Sequence, residues 1–510
     1  MLPSPLNETT SPSRPRLRIP GWEFSNSYAA LPARFFARLD PVAVADPQLI
    51  KFNGALAAEL GLEWQSLDEA ALAAIFAGNV VPVGADPIAT AYAGHQFGQF
   101  VPQLGDGRAL LLGEVIGLDG RRRDIQLKGS GRTPFSRSGD GRAALGPVLR
   151  EYLVSESMHA LGIATTRSLA AVTTGEPVFR GARLPGAVVT RVASSHVRVG
   201  TFEYFAARGD AEAVHRLADY VIERHYPELK CADRPYVELL AAVVRRQAAL
   251  IAGWMGVGFI HGVMNTDNTA ISGETIDFGP CAFMDGYDPA TVFSSIDSHG
   301  RYAYGNQPAM AQWNMARFAE TLLTLIDPDD TQRAVDIATP VVDSFGEHFE
   351  ACWIAGLRRK LGLVTSEAGD AALVGELLDL MLRTGADYTL TFRRLCEAAA
   401  AATGVAEEIL GASVPIELAP WIGAWRSRLE RDPQAPGDRA RAMRMANPAY
   451  IPRNHRVEGV LAAATERADF GPFEEMLQAL SRPYEEQPGR ESYLAPPLPS
   501  ERVLQTFCGT

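Results

Sequence analysis

The chain has 510 residues, 47% apolar and 21% charged, with a net charge of −12. That length can bury more than one core, and the acidic balance argues against a nucleic-acid partner, which requires an extended basic face. No apolar run approaches the ~18 residues of a membrane span. Residues 1–20, rich in Pro, Ser, Thr and Arg without an apolar centre, read as a mobile arm and not as a secretory signal.

Past the arm, Ala70 to Phe76 patterns as a helix and Ala109 to Val115 as a strand. Gly105-Asp106-Gly107-Arg108 reads as a hairpin joining Val101–Leu104 to that strand, in the position of a glycine-rich phosphate loop but without the G-x-G-x-x-G spelling. An ordinary type I′ turn with a surface Arg is the competing reading. Arg121-Arg122-Arg123, beside Asp119 and Asp124, reads as a solvated hairpin tip.

Asp124 to Lys128 alternates as a strand and leads into a loop, Gly129 to Arg142, that contains Arg132, Arg137, Asp140 and Gly141. Glycines let backbone N–H groups approach an anion, and arginines add charge-assisted bonds to phosphate. Pro147 to Leu161 follows as a helix with Val148, Glu151 and Met158 on one side, so Glu151 is expected to face inward. A strand Lys and a helix Glu form the pair that holds a kinase lysine against ATP, which makes Lys128 and Glu151 candidates for it. Ser168 to Thr173 is a further strand. In the helix Pro235 to Met255, Leu240, Val243, Val244, Ile251 and Trp254 form one core-facing stripe.

The most informative segment is His261-Gly262-Val263-Met264-Asn265-Thr266-Asp267-Asn268, followed nine residues later by Asp277-Phe278-Gly279. A kinase catalytic loop is H-R-D-L-x-x-x-N and its metal loop is D-F-G; here the His and the Asn are in register. The catalytic Asp is not. Val263 takes its slot and accepts no proton, while Asp267 stands directly before Asn268. An Asn carbonyl and an Asp carboxylate from adjacent loops suit Mg2+ bridging phosphates, so Asn268 and Asp277 are candidate ligands. Phe259 and Ile260, with Ile271 and Ile276, are expected in short strands around the loops; a plain hairpin with polar ends is the alternative. Asp469-Phe470-Gly471 repeats the tripeptide without the upstream loop and reads as a turn ahead of a helix. Other helices are expected over Pro308–Leu325, Asp329–Leu361, Asp370–Thr384, Thr389–Ala402 and Phe473–Leu480, with loops near Asp432–Gly437 and Ala495–Ser500.

The runs GDGRA, QLKGSGRTPFSRSGDGRAALG, REYLVSE, HGVMNTDN and IDFGPCAF resemble the selenoprotein O family, kinase-fold pseudokinases that act as protein adenylyltransferases. The resemblance implies an α+β, protein-kinase-like two-lobed fold. Its mixed strand and helix N-lobe would span about 21–195, its mainly helical C-lobe 196–490, and an extended C-terminal tail 491–510. It implies ATP bound inverted, with the γ-phosphate buried, and AMP transferred with Mg2+ or Mn2+ to Ser, Thr or Tyr hydroxyls of protein substrates. The nucleotide contacts it implies are Gly105, Gly107, Arg108, Lys128, Asp140, Gly141, Arg191, Arg198 and Asp277. Glu151 is the ion-pair partner, Asn268 and Asp277 the metal ligands, and Asp267 the proton acceptor. Without the resemblance, Arg191 and Arg198 read as exposed strand residues.

Five scattered cysteines, Cys231, Cys281, Cys352, Cys396 and Cys508, do not make a disulfide framework. The resemblance implies a disulfide between Cys281 and Cys508 as a redox latch over the site; two unlinked thiols are the competing reading. A monomer in the bacterial cytoplasm, with no nucleic acid or membrane partner, is the expectation. An ordinary kinase, weakened by Val263, and a non-catalytic nucleotide-binding scaffold, weakened by Lys128, Glu151, Asn268 and Asp277, are the alternatives.

Overall fold

The computed structural model describes residues 14–401 and 418–507. Its amino-terminal part is built on an antiparallel sheet. Strand order is Phe36–Arg38, Ile88–Thr90, Ala109–Ile116, Arg122–Lys128, Arg183–Ala193, Arg167–Phe179 and Gln48–Phe52, with Ala143–Ala144 pairing beside Arg183–Ala193. Side chains alternate between faces along a strand, and here both faces are covered. Ala187 and Val189 pack with Leu149 and Val148 of the helix Leu145–Ala160. Val188 and Val192 pack on the other side with Leu72, Ile75 and Phe76 of the helix Glu69–Phe76.

That alternation decides where two charges go. Arg191 shares the parity of Ala187 and Val189 and so faces the long helix. Ile125 and Leu127 point to the Phe76 side, which turns Gln126 and Lys128 toward the same helix as Arg191. Register completes the placement, because Arg191 pairs with Gln126 and Val189 with Lys128. Val148, Glu151 and Met158 are all buried on the helix opposite.

From Val199 onward the chain is mainly helical. Pro235–Gly256 is its central helix, with Leu240, Val243, Val244, Ile251 and Trp254 buried as the stripe required. Asp370–Thr384 has the expected bounds and ends on Gly385, whose φ of 64° supplies the left-handed cap. A two-residue strand pair, Phe259–Ile260 with Ala282–Phe283, brackets the segment carrying the two loops. No helix is long and apolar enough to cross a membrane among the described residues.

Several expectations are corrected. Gly105–Arg108 is not a hairpin tip: Gln99–Val101 pairs with Gly94–Gln96 instead, and the Asp106 carboxylate accepts from the Thr90 N–H and hydroxyl at 2.9 and 2.6 Å. Ala270 and Thr275 form single bridges, to Arg198 and Thr165, so no strands form around Ile271 and Ile276. Asp329–Leu361 is two helices, Thr331–Asp343 and Phe345–Lys360, broken after Pro340 within the first. The arm is docked where it is described, Arg16–Leu17 pairing in parallel with Val81–Pro82. The remaining helix bounds shift by a few residues, except that Ala402 lies outside the described residues. Pro436 begins a helix and does not close a loop.

Lys360 is buried at 4% exposure, with its ammonium 4.5 Å from the Phe392 ring centre and 5.5 Å from that of Tyr388. Burial drops its pKa from 10.5 to about 7. Between those values the unfolded chain holds the proton and the folded chain does not, so stability rises with pH across that window. Lys360→Met is expected to stabilise the protein most at or below neutral pH. Its advantage should shrink as pH climbs toward the ordinary lysine range, measured by denaturant titration at several pH values.

Candidate active site

One cavity of about 750 Å³ lies between the sheet and the helical part. Gly105, Gly107, Arg108, Lys128, Asp140, Gly141, Glu151, Arg191, Arg198, Asp267, Asn268 and Asp277 all line it. Residues separated by up to 172 positions are thus brought to one cavity, Gly105 and Asp277 being the extremes.

The inner end is an ion network. Lys128 Nζ donates to Glu151 Oε2 at 2.7 Å and to Asp277 Oδ1 at 3.0 Å. Arg191 bonds both the same carboxylates, through Nε to Glu151 and through Nη2 to Asp277. Arg198 reaches Asp277 Oδ2 at 3.3 Å and stacks over Tyr92, 4.5 Å from its ring centre. Burial alone would raise the pKa of Asp277, but Arg191, Lys128 and Arg198 outweigh it and hold the carboxyl well below the usual range. Glu151 is also lowered against its burial, by Arg191 and Lys128. Three cations against two carboxylates leave the inner end with one net positive charge.

Asp277 has φ 66°, a left-handed backbone that a non-glycine residue rarely adopts and that clusters at functional sites. Phe278 anchors it, buried and packed on Phe259. His261 ties the two loops together: it is buried, stacked on Trp254, and its Nε2–H donates to Ile276 O at 2.8 Å while its Nδ1 accepts from the Val263 N–H. Burial lowers its pKa, as a neutral bracket requires. Asn268 Nδ2 donates to Val263 O at 3.0 Å, which leaves its carbonyl oxygen available to a ligand. Asn268 and the Asp277 carboxylate are hard oxygen donors and fit Mg2+, with the remaining ligands left to phosphate or water. Among the described residues, no grouping of three or more His, Cys, Asp or Glu can hold a metal by itself.

Asp267 is 7% exposed, and burial raises its carboxyl to about 6 despite Arg198. Val263, in the slot a kinase gives its Asp, also lines the cavity.

The outer loops interlock. Thr133 Oγ1 donates to Asp106 O at 2.6 Å, Ser136 Oγ donates to Gly107 O, and the Gly129 N–H donates to Arg108 O at 2.7 Å. A Cβ on Gly105 would fall 2.4 Å from Phe135. Asp140 is gripped by Arg180 through two bonds of 2.8 Å, and these hold its pKa down to about 2. Tyr92, Gln96, Asn265, Phe179, Arg180 and Ile296 line the cavity too and were not singled out from the sequence. The polar and aromatic run His95-Gln96-Phe97-Gly98-Gln99-Phe100 was the available signal for Gln96.

Cys281 is buried one residue past the cavity-lining Pro280. Cys508 lies outside the described residues. The tail does reach this region: Thr506 Oγ1 donates to Pro280 O, and the Thr506 N–H donates to Phe293 O at 2.7 Å.

A strand lysine paired to a helix glutamate, set against an Asn and an Asp on adjacent loops, is the arrangement with which kinase-type sites handle a nucleotide. Comparison with known proteins narrows it. Residues 20–481 match the family described as protein adenylyltransferase SelO. The chain is 64% identical over 490 residues to the protein nucleotidyltransferase YdiU of Rhizobium meliloti (strain 1021), covering 96% of this chain and 99% of that protein. It is likewise 64% identical over 489 residues to the YdiU of Rhizobium leguminosarum bv. trifolii (strain WSM2304), covering 96% and 97%. The YdiU of Bradyrhizobium sp. (strain BTAi1) is 63% identical over 487 residues, covering 96% and 99%. The chain belongs to the SelO family of protein adenylyltransferases and is a nucleotidyltransferase.

Gly141 has φ 71°, and a Cβ there would lie 2.2 Å from the Gly131 carbonyl carbon and oxygen. Gly141→Ala is expected to spread the loop and weaken ATP by roughly tenfold or more, given the ~1–3 kcal/mol of backbone strain alone. Calorimetric titration with ATP checks this, with the melting temperature as control for the fold.

Proposed function

We propose that the protein transfers AMP from ATP to a Ser, Thr or Tyr hydroxyl of another protein, using a kinase-like two-lobed scaffold. The N-lobe is residues 21–195, the C-lobe 196–490 and the tail 491–510. The observation that carries this reading is the depth of the cations. Arg191 and Arg198 are 2% and 3% exposed at the closed end of the cavity, whereas Phe179 and Ile296 on its lining are 70% and 57% exposed. A triphosphate seeks the buried positive end and a nucleobase the apolar rim, so the γ-phosphate goes in first and the α-phosphorus stays near Asp267. Lys128, Arg191 and Arg198 hold the terminal phosphates, Glu151 orients Lys128 and Arg191, and Arg108 with the loop glycines Gly105, Gly107 and Gly141 supports the rest of the chain of phosphates. Asp140 fixes that loop.

In the transfer, the acceptor hydroxyl oxygen bonds to the α-phosphorus, the bond from that phosphorus to the bridging oxygen of the β-phosphate breaks, and pyrophosphate leaves. The hydroxyl proton passes to Asp267, whose raised pKa suits a base working near neutrality. Asn268 and Asp277 would hold Mg2+ or Mn2+, which neutralises phosphate charge when bound. Val263 leaves no carboxylate where a kinase aligns its acceptor with the γ-phosphate, which favours this reading over γ-phosphoryl transfer. The scattered cysteines favour a reducing compartment, the bacterial cytoplasm, and a single chain contains every residue the transfer uses.

Arg198→Ala is expected to weaken ATP by about 100-fold, as loss of a buried charge-assisted phosphate contact does, while changing AMP affinity severalfold at most. Titration calorimetry with the two nucleotides checks this. Equal weakening of ATP and AMP would contradict the inward placement of the terminal phosphates.

A further inference from the structure

A short ribbon, Gly94–Gln96 paired with Gln99–Val101, contributes Gln96 and Phe97 to the cavity lining. Its turn has φ 51° at Phe97 and 83° at Gly98, the two left-handed residues that a tight hairpin of this twist requires. Phe97 adopts that conformation at a cost that glycine would avoid, and its ring packs 5.1 Å from Tyr302.

The ribbon lies directly on the loop that carries Asp267. The His95 N–H donates to Thr266 Oγ1 at 2.7 Å and the Phe97 N–H to Asn265 Oδ1 at 3.0 Å. Glu203 accepts from Thr266 and pairs with His95 Nδ1, both at 2.5 Å, closing the contact from behind. Two features then act on Asp267 itself. Gln96 Nε2 donates to Oδ2 at 3.2 Å, and it is the one side chain among the described residues that bonds this carboxylate. Gly94 is a wall: a Cβ there would fall 2.6 Å from Oδ1 and 2.9 Å from the Asp267 Cβ. Oδ1 is buried and without a hydrogen-bond partner among the described residues.

We infer that the ribbon is part of the transfer site, with Gln96 the positioning residue that fixes the Asp267 carboxylate for the incoming hydroxyl. Oδ1 is shut against Gly94, so Oδ2 is the oxygen left to take the proton. A carboxylate oxygen has two lone pairs, and Gln96 uses one and leaves the other directed. Gln96 lines the cavity and its side-chain amide bonds Asp267, with no hydrogen bond to Lys128, Arg191 or Arg198 among the described residues, so it acts on the acceptor end and not on the phosphates. The inference rests on Asp267 being the proton acceptor.

The test is a double-mutant cycle on the full chain, measuring kcat and KM for label transfer from α-labelled ATP to a fixed preparation of extract proteins. Gln96→Met keeps the side-chain length and removes the donor. It should lower kcat about tenfold, the scale of one bond to a charged group, with ATP affinity by calorimetry and KM for ATP unchanged. In an Asp267→Ala background it should lower kcat no further. Wild-type kcat in Gln96→Met, a matching rise in KM for ATP, or multiplied losses in the double variant would each overturn the inference while leaving Asp267 as the base. An Asp267→Ala variant with wild-type kcat would remove both. If Gln96→Met fails to show a native melting curve, Gly94→Ala decides. Its methyl displaces Asp267 with Gln96 intact, so it should lower kcat in the wild type; undiminished kcat overturns the inference.

Discussion

Arg191 placed between Glu151 and Asp277 is the constraint on which the rest of the site depends. One guanidinium from the sheet, nearly sealed from water, bonds a carboxylate of the long helix and a carboxylate of the loop after Ile276. Removing a buried partner of such a network leaves uncompensated charge, at a cost of about 3–5 kcal/mol. The sheet, the helix and the loop are therefore held in one arrangement by groups that also face the cavity. Lys128 repeats the link with shared partners, so the lysine and the arginine lie side by side.

This network explains why Asp277 can remain ionised at the closed end of a cavity. Lys128, Arg191 and Arg198 all bond its carboxylate. The sheet, the helix and the loop thereby form one frame. The strained φ of Asp277 and the neutral bracket of His261 belong to that frame. Around Asp267 the conditions reverse: burial outweighs the nearby Arg198, and its carboxyl is pushed up. One cavity thus holds one carboxyl well below the usual range and another above it, set apart by the number of cations each can see.

Local pattern was enough to read Lys128 at a strand end and Glu151 on the inner face of its helix, because burial parity and helical periodicity are sequence properties. The same is true of His261, Asn268 and Asp277, whose spacing places them on two linked loops. Arg191 and Arg198 were legible only through family resemblance: both are expected from local pattern to be exposed strand residues, yet both are buried, Arg198 lies in no strand and precedes the helix Val199–Ala206, and the partners of Arg191 lie 40 and 86 positions away. Asp106 shows the opposite failure. Local signals made Gly105–Arg108 a hairpin tip, and a non-local bond to Thr90 turned it into a pinned loop. The ribbon at Gly94–Val101 was not recognised because it pairs with itself and then docks on residues about 170 positions on. Its glycine is needed for a contact that sequence alone does not display.

The central claim is that the α-phosphorus, and not the γ, is the one presented to the acceptor. Parallel incubations of the chain and extract proteins with ATP labelled at the α- or at the γ-phosphate test it most directly. The account predicts protein-bound label from the α-labelled nucleotide alone, with all γ-label recovered in pyrophosphate or unspent ATP. Protein-bound γ-label without α-label would contradict it and make the chain a kinase despite Val263.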